Sequence, residues 1–252
     1  MRILYQFPLS HFCEKARWLL DYKELDYVAQ NLTPGWHQAF ARLKTGQPNL
    51  PILKDQQHWI ANSTPIAEYL DLHYPEYLLL GASTSVRSQI LAIDTQCNAL
   101  GVLIHQWLLS EAWQQDQAMD IALGETGYLR KFSRYSKPLF KTILSKGFDL
   151  NIERKQQLKE QIQNAVLQLN DHYPTAASFM VGQRLSLADI AVCSMLAPLL
   201  NIDATPWELE ESTTLDPETQ LLQQFILDLP LGQYVIQTYV HHRHARVDWR
   251  GV

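Results

Sequence analysis

The chain carries no excess of positive charge. Its 21 Lys and Arg stand against 26 Asp and Glu, a formal net charge of −5. Binding to nucleic acid driven by phosphate attraction is therefore disfavoured. Cysteine is scarce. Cys13, Cys97 and Cys193 are too widely spaced for a disulfide framework, and a reducing cytoplasm is the expected setting. No apolar run approaches the roughly 20 residues that a membrane span needs. No signal-peptide pattern is expected either, because Met1-Arg-Ile-Leu-Tyr5 runs straight into a strand. Internal repeats and low-complexity tracts are missing. What is present is the composition of a soluble globular protein: 252 residues, 46% hydrophobic and 19% charged, enough for one or two domains with a full core.

The first twenty residues organise the rest. Ile3 to Phe7 is apolar enough for an inner strand, and Pro8 cannot continue its ladder. Ser10 stands where a helix N-cap belongs. Cys13, Ala16 and Leu20 follow at helical spacing and share one face. A strand that runs into a helix N-terminus leaves unpaired N–H groups pointing above the sheet, a place to hold an anion. Glu24 to Asn31 reads as a second strand, and Thr33-Pro34 opens a helix that runs to about Lys44. Leu50 to Lys54 and His58 to Ile60 read as a hairpin across Asp55-Gln56-Gln57. A further helix opens at Ser63 and ends at Tyr74-Pro75.

Residues 75–84 read as a linker, and beyond them helical periodicity dominates. Val86, Ile90, Ile93, Cys97, Leu100 and Ile104 mark one face of a long helix. Residues 114–150 are broken by Gly124, Gly127, Pro138 and Gly147, so two shorter helices with loops are expected. Leu158, Ile162, Ala165 and Leu169 mark another helix, stopped at Tyr173-Pro174. Ser186-Leu-Ala-Asp189 is a capping-box variant that opens a very apolar helix. An acidic loop at 201–216 precedes helical stretches near 217–229 and 231–243.

The segment Phe7-Pro-Leu-Ser-His-Phe-Cys-Glu-Lys-Ala-Arg17 resembles the first strand–helix junction of the glutathione S-transferases. It is most similar to the serine-type classes (delta, theta, tau), in a bacterial-style member. Leu50-Pro51 and Asn62-Ser63 are the second and third motifs. Together the three span nearly the whole first domain, and the later helices extend the likeness over nearly the whole chain. The resemblance implies an α/β plus all-α fold: a thioredoxin-like glutathione-binding domain at 1–76, then an all-helical domain at 85–252 carrying the electrophile pocket. It maps the thiol-activating serine onto Ser10. It implies a cis Leu50–Pro51 bond that turns the backbone of Leu50 toward the cysteinyl part of glutathione. It places Ser63, with Asn62 before it, at the γ-glutamyl carboxylate, again at a helix N-terminus.

The pattern departs from the family in two places. Asn62 stands where the family usually has an acid, so it brings no charge to meet the glutathione amine. Pro48 and Asn49 stand where relatives supply a cation for the glycine carboxylate, leaving His37, Gln47 and Lys44 as open alternatives. Aligning Phe7-Pro8 with the tyrosine-type classes puts their tyrosine at Gln6. Tyr5 is then out of register, on the opposite strand face.

Ser10-His-Phe-Cys13 has the spacing of a redox C-x-x-C with the nucleophilic first Cys replaced, so Cys13 reads as a small buried apolar residue. The Ser186/Asp189 box, with Gly182 before it, reads as a folding element. His241, His242 and His244 lie late in a helical stretch where His⁺ suits the macrodipole. No carboxylate or Cys is spaced to complete a metal site with them, and no metal is expected.

The function so implied is conjugation of glutathione, as co-substrate, to a hydrophobic electrophile, or reduction of a hydroperoxide with it, by a cytoplasmic homodimer. Neither nucleic acid nor a membrane is an expected partner. A non-enzymatic binding or scaffold protein on the same fold is the alternative, and a glutathione-dependent thiol reductase is a third.

Overall fold

The structure is a computed structural model, and it describes residues 1–33, 36–112, 152–173, 179–208 and 215–252. Strand β1, Arg2–Gln6, lies inside a four-stranded sheet of order β2-β1-β3-β4. Strand β2, Tyr27–Asn31, pairs with it in parallel. Strands β3, Ile52–Asp55, and β4, His58–Ala61, run antiparallel beyond it. Alternation along β1 sends Leu4 into the main core and Tyr5 into a separate small cluster with Ala41 and Ile52, so the two residues do face opposite ways. Strand β2 starts three residues later than the sequence pattern predicts, because Glu24 takes a positive φ of 54° and the chain is still turning there.

Helix α1, His11–Tyr22, crosses from β1 to β2. Helix α2, Trp36–Thr45, covers the Tyr5 side, and α3, Ser63–His73, follows β4. Among the described residues the remainder is helical: α4 (Thr84–Ala112), α5 (Ile152–His172), α6 (Leu187–Leu200), α7 (Pro217–Leu227) and α8 (Pro230–His242). The predicted stripe of α4 is inward, with Ile90, Ile93, Cys97, Leu100 and Ile104 all buried. The helices expected within 114–150, the stop at Pro174 and residues 209–214 of the acidic loop lie outside the described residues. No described helix is long and apolar enough to cross a membrane.

Helix α6 is the hub. It packs on α4, α1, α7 and α8, and its residues from Leu187 to Ala197 are all buried. Such a helix has no polar face, so its start must be fixed by hydrogen bonds. Asp189 supplies them, accepting from the N–H groups of Met180 (2.6 Å) and Ser186 (2.7 Å), from Ser186 Oγ (2.7 Å) and from the Tyr234 hydroxyl.

The linker is no slack tether. Leu79 and Leu80 are fully buried, their N–H groups bond to Asp71, and the Leu79 carbonyl accepts from Leu187 N at 2.8 Å.

Where α1, α4 and α6 cross, Gly101 has no room for a side chain. A Cβ there would lie 2.4 Å from Met195 Sδ, 2.9 Å from the Phe12 ring and 3.3 Å from His11 Nε2. The bare backbone lets His11 reach the Gly101 carbonyl at 2.9 Å. A carbonyl only accepts, so Nε2 carries the hydrogen.

Candidate functional site

The sheet register brings the three sequence motifs to one end of the sheet. Tyr5 pairs with Ile52, and Ile52 with Ala61. The chain leaving β1 at Phe7, entering β3 at Leu50-Pro51 and leaving β4 at Asn62 therefore does so side by side. The Asn62 N–H donates to the Pro51 carbonyl at 2.9 Å, which ties two of the motifs directly. The Leu50–Pro51 peptide is cis. Two helices, α1 and α3, begin at this end, and their first N–H groups lack intrahelical acceptors.

Ser10 sits at the N-cap of α1 in extended conformation (φ −84°, ψ 119°). Its Oγ accepts from Cys13 N at 3.3 Å. The Ser10 side chain also hydrogen-bonds the Cys13 thiol, which partly offsets the effect of burial on that thiol; a thiol sulfur is a weak acceptor. The preceding residues form a turn closed by Ser10 N donating to Phe7 O at 3.2 Å. Phe7 N donates to Cys13 Sγ at 3.4 Å, and an Arg17 Nη2–H donates to Pro8 O at 3.3 Å. Cys13 is fully buried, and burial pushes its thiol up from the ordinary range. It is a protonated packing residue at neutral pH, in keeping with the apolar role predicted for it.

Ser63 opens α3 and is buried. Asn62 before it has φ 70° and ψ 146°, a region costly for any residue with a side chain. Its side chain does not cap the helix; Nδ2 donates instead to Gln47 Oε1 at 2.6 Å. Of the residues left open for the missing cation, Gln47 is thus engaged with Asn62. Lys44 Nζ lies 5.0 Å over the Trp59 ring. His37 packs edge-on against Phe7, 4.6 Å between ring centroids, and burial lowers its pKa, which favours the neutral ring.

Residues 4–77 match the family model described as glutathione S-transferase, N-terminal domain. No curated protein matches the sequence. Among solved structures, a glutathione S-transferase from Ceriporiopsis subvermispora in complex with glutathione is similar, at 16% identity over 98% of each chain with a TM-score of 0.63. Another from Rhodospirillum rubrum F11 is 20% identical over 93% of this chain and 91% of that one, with a TM-score of 0.54. A third, from Methylobacterium radiotolerans in complex with glutathione sulfonate, is 16% identical over 93% and 94%, with a TM-score of 0.56. The fold is that of a glutathione S-transferase.

On this transferase fold the sequence motifs leave two polar clusters unread. Lys15, fully buried, pairs with Asp94 and donates to Asn98 Oδ1 at 3.0 Å; Thr64, next to Ser63, donates to Asp94 Oδ2. This ties α1 and α4 to the start of α3. The second cluster joins Gln6, Glu14 and Arg17 to Arg243. Burial alone would push the Glu14 carboxyl up, but Arg243 and Arg17 on either side override it and hold it at about 2. Charged residues interleaved with the apolar ones of α1 were the available signal, since such residues are buried only when paired. Their partners are too distant in sequence to be named from it. Among the described residues no group of His, Cys, Asp and Glu is arranged to hold a metal ion. His242 instead packs against Phe179, with ring centroids 5.3 Å apart.

Proposed function

We propose that this protein is a glutathione transferase of the serine type, with Ser10 as the hydrogen-bond donor to the glutathione thiolate. The observation that carries the reading is the Ser10 hydroxyl, half-buried at a helix N-terminus and engaged with a thiol sulfur, a weak acceptor that a bound thiolate can outcompete. A free thiol ionises near 8.5, and lowering that by two pH units takes about 2.7 kcal/mol. A helix N-terminus contributes about 0.3–1 kcal/mol, rising to about 2 when partly buried. A hydrogen bond to the charged sulfur adds about 1.5–3 kcal/mol. The two together suffice, and Ser10 need not ionise.

In this reading the backbone of Leu50, turned by Pro51, meets the cysteinyl part of glutathione, and Asn62 with Ser63 meets the γ-glutamyl carboxylate. Residues 1–76 form the glutathione-binding domain, and 85–252 carry the pocket for a hydrophobic electrophile. The thiolate attacks the electrophilic carbon and displaces its leaving group. A cytoplasmic homodimer is the proposed form. Conjugation of a generic aromatic electrophile by wild type, Ser10→Ala and Cys13→Ser tests it. Ser10→Ala should slow the reaction and Cys13→Ser should not. The reverse pattern would replace the serine-type reading with a thiol-redox one, which the buried, protonated Cys13 disfavours.

A second reading, a binding or scaffold protein without catalysis, has its own observation. Asn62 carries no charge and its side chain is held by Gln47, and positions 48–49 offer no cation. Calorimetric titration with glutathione separates the two, because no binding and no activity in wild type would leave only the scaffold.

A further inference from the structure

The turn that carries Ser10 is held from the far end of the chain. The Pro8 carbonyl takes its hydrogen bond from Arg17, and Arg17 is fully buried. Two groups aim that guanidinium: Glu14, whose Oε2 accepts from Nε at 2.9 Å, and Gln6, whose Oε1 accepts from Nη1. Each is itself held by the C-terminal segment that follows α8. Arg243 Nε donates to Glu14 Oε1 at 2.7 Å, and Gln6 Nε2 donates to the Trp249 carbonyl at 3.0 Å. Arg243 also donates to Asp21 at 2.7 Å.

The segment is anchored along the open edge of β2. Val252 N donates to Ala29 O and Val252 O accepts from Asn31 N, both at 2.8 Å, and Asn31 Nδ2 donates to Arg250 O at 2.6 Å. Gly251 lets it lie that close. Its φ is +64°, and a Cβ would fall 2.7 Å from Ala29 O and 2.9 Å from Gln6 Nε2.

We infer that residues 243–252 position the Ser10 hydroxyl, through Gln6, Glu14 and Arg17 acting on the Pro8 carbonyl, so that the C-terminal segment tunes the stabilisation of bound thiolate. The chemical half of this rests on the reading of Ser10 given above; the mechanical half does not. A hydroxyl displaced by about 1 Å loses up to roughly 100-fold in rate. Arg17 and Arg243 are positioning residues and touch no reacting atom.

Gly251→Ala is the mild test: its Cβ crowds the edge pairing and the Gln6 amide but leaves the Arg243 contacts untouched. Arg243→Lys is the severe one: it keeps the charge and loses the two-armed grip on Glu14 and Asp21. Two quantities are read on the full chain. Amide exchange at Ser10 reports the turn, with the Asn31 amide as monitor of segment release and Leu196 as distant control. Ultraviolet absorbance against pH reports the pKa of bound glutathione thiol.

In Gly251→Ala, Ser10 and Asn31 exchange should both speed up by about tenfold or more, with Leu196 unchanged. The thiol pKa should rise, and Gly251→Ala should have no effect on it in a Ser10→Ala background. Released Asn31 with unchanged Ser10 exchange overturns the inference. So does a thiol pKa that responds to Ser10→Ala and not to Gly251→Ala. If Ser10 exchange responds and the thiol pKa is indifferent to Ser10→Ala itself, the transferase reading fails and the mechanical coupling stands. Should Arg243→Lys not fold, Gly251→Ala decides alone.

Discussion

Two serines cap two helices in this molecule, and they differ in what their hydroxyls have left to give. Ser186 at the start of α6 is buried and saturated: its Oγ accepts from Ala188 N at 3.2 Å and donates to Asp189 at 2.7 Å. Ser10 at the start of α1 is half-buried. Its Oγ accepts from Cys13 N, and its other recorded partner is the Cys13 thiol, a far weaker acceptor than the carboxylate of Asp189. Both satisfy the same local preference for Ser at an N-cap. A hydroxyl tied to a carboxylate makes a fixed point for folding, whereas one held only by a weak thiol acceptor at a positive helix end is free to turn to an anion.

The largest effect should come from opening the saturated cap. Asp189→Ala strands the donors of Met180, Ser186 and Tyr234 in the core, and buried unsatisfied donors cost about 1–3 kcal/mol each. We expect a loss of at least about 3 kcal/mol in chemical denaturation, with glutathione affinity of the folded fraction preserved. An unchanged midpoint with weakened binding would erase the distinction between the two caps.

Ser10→Ala should do the opposite. Loss of a charge-assisted bond of about 1.5–3 kcal/mol slows conjugation roughly 10- to 150-fold and raises the pKa of bound thiol. Folding stability should fall by only about 0.5–2 kcal/mol. Steady-state kinetics beside a melting curve check both halves.

A third effect sharpens the Ser10 side through its neighbour. Burial, with His105 as a second cause, holds the His11 imidazole at about 3, against the opposing bond to Gly101. The unfolded imidazole ionises near 6.5, so below that pH the unfolded chain binds the extra proton. The stability this site contributes is complete above about 6.5 and drains away as pH falls toward 3. Between pH 7.5 and 5 that is about 2 kcal/mol. Denaturation midpoints over this range should fall in wild type and flatten in His11→Gln.

Cys13→Ser should be the mildest, costing about 1 kcal/mol for a hydroxyl in an apolar place and leaving the conjugation rate nearly intact. Kinetics parallel to those of Ser10→Ala would decide it.

Much of the fold was legible because it is written in short-range pattern. Residues such as Ile90, Cys97 and Ile104 recur at helical spacing, and Ser10 and Ser186 sit at cap positions three residues ahead of their partners. The hairpin across Asp55-Gln56-Gln57 was equally plain, although Asp55 proves to be the last residue of β3. The site motifs were placed by family likeness, and the register then brought them to one end of the sheet. What stayed hidden depends on distance along the chain. Glu14 and Arg243 are 229 residues apart, and nothing in either neighbourhood names the other. Arg246-Val-Asp-Trp-Arg250 alternates polar and apolar residues only briefly, and the pairing with β2 is made by the backbone of Val252 just past that run. Gln6, set aside as a vacant tyrosine position, proves to be a fully buried link between the last residues and the first helix.

Gly101 has a consequence for anyone mapping this protein by saturation mutagenesis. It has no functional group and lies in the middle of a helix, where an alanine would ordinarily be welcome by about 0.5–1 kcal/mol. Here the added methyl would collide with Met195 and Phe12 and press on His11, the residue next to Ser10. Position 101 should therefore score like a catalytic position in an activity screen. It is a spacer of zero thickness, because one methyl group is wider than the gap.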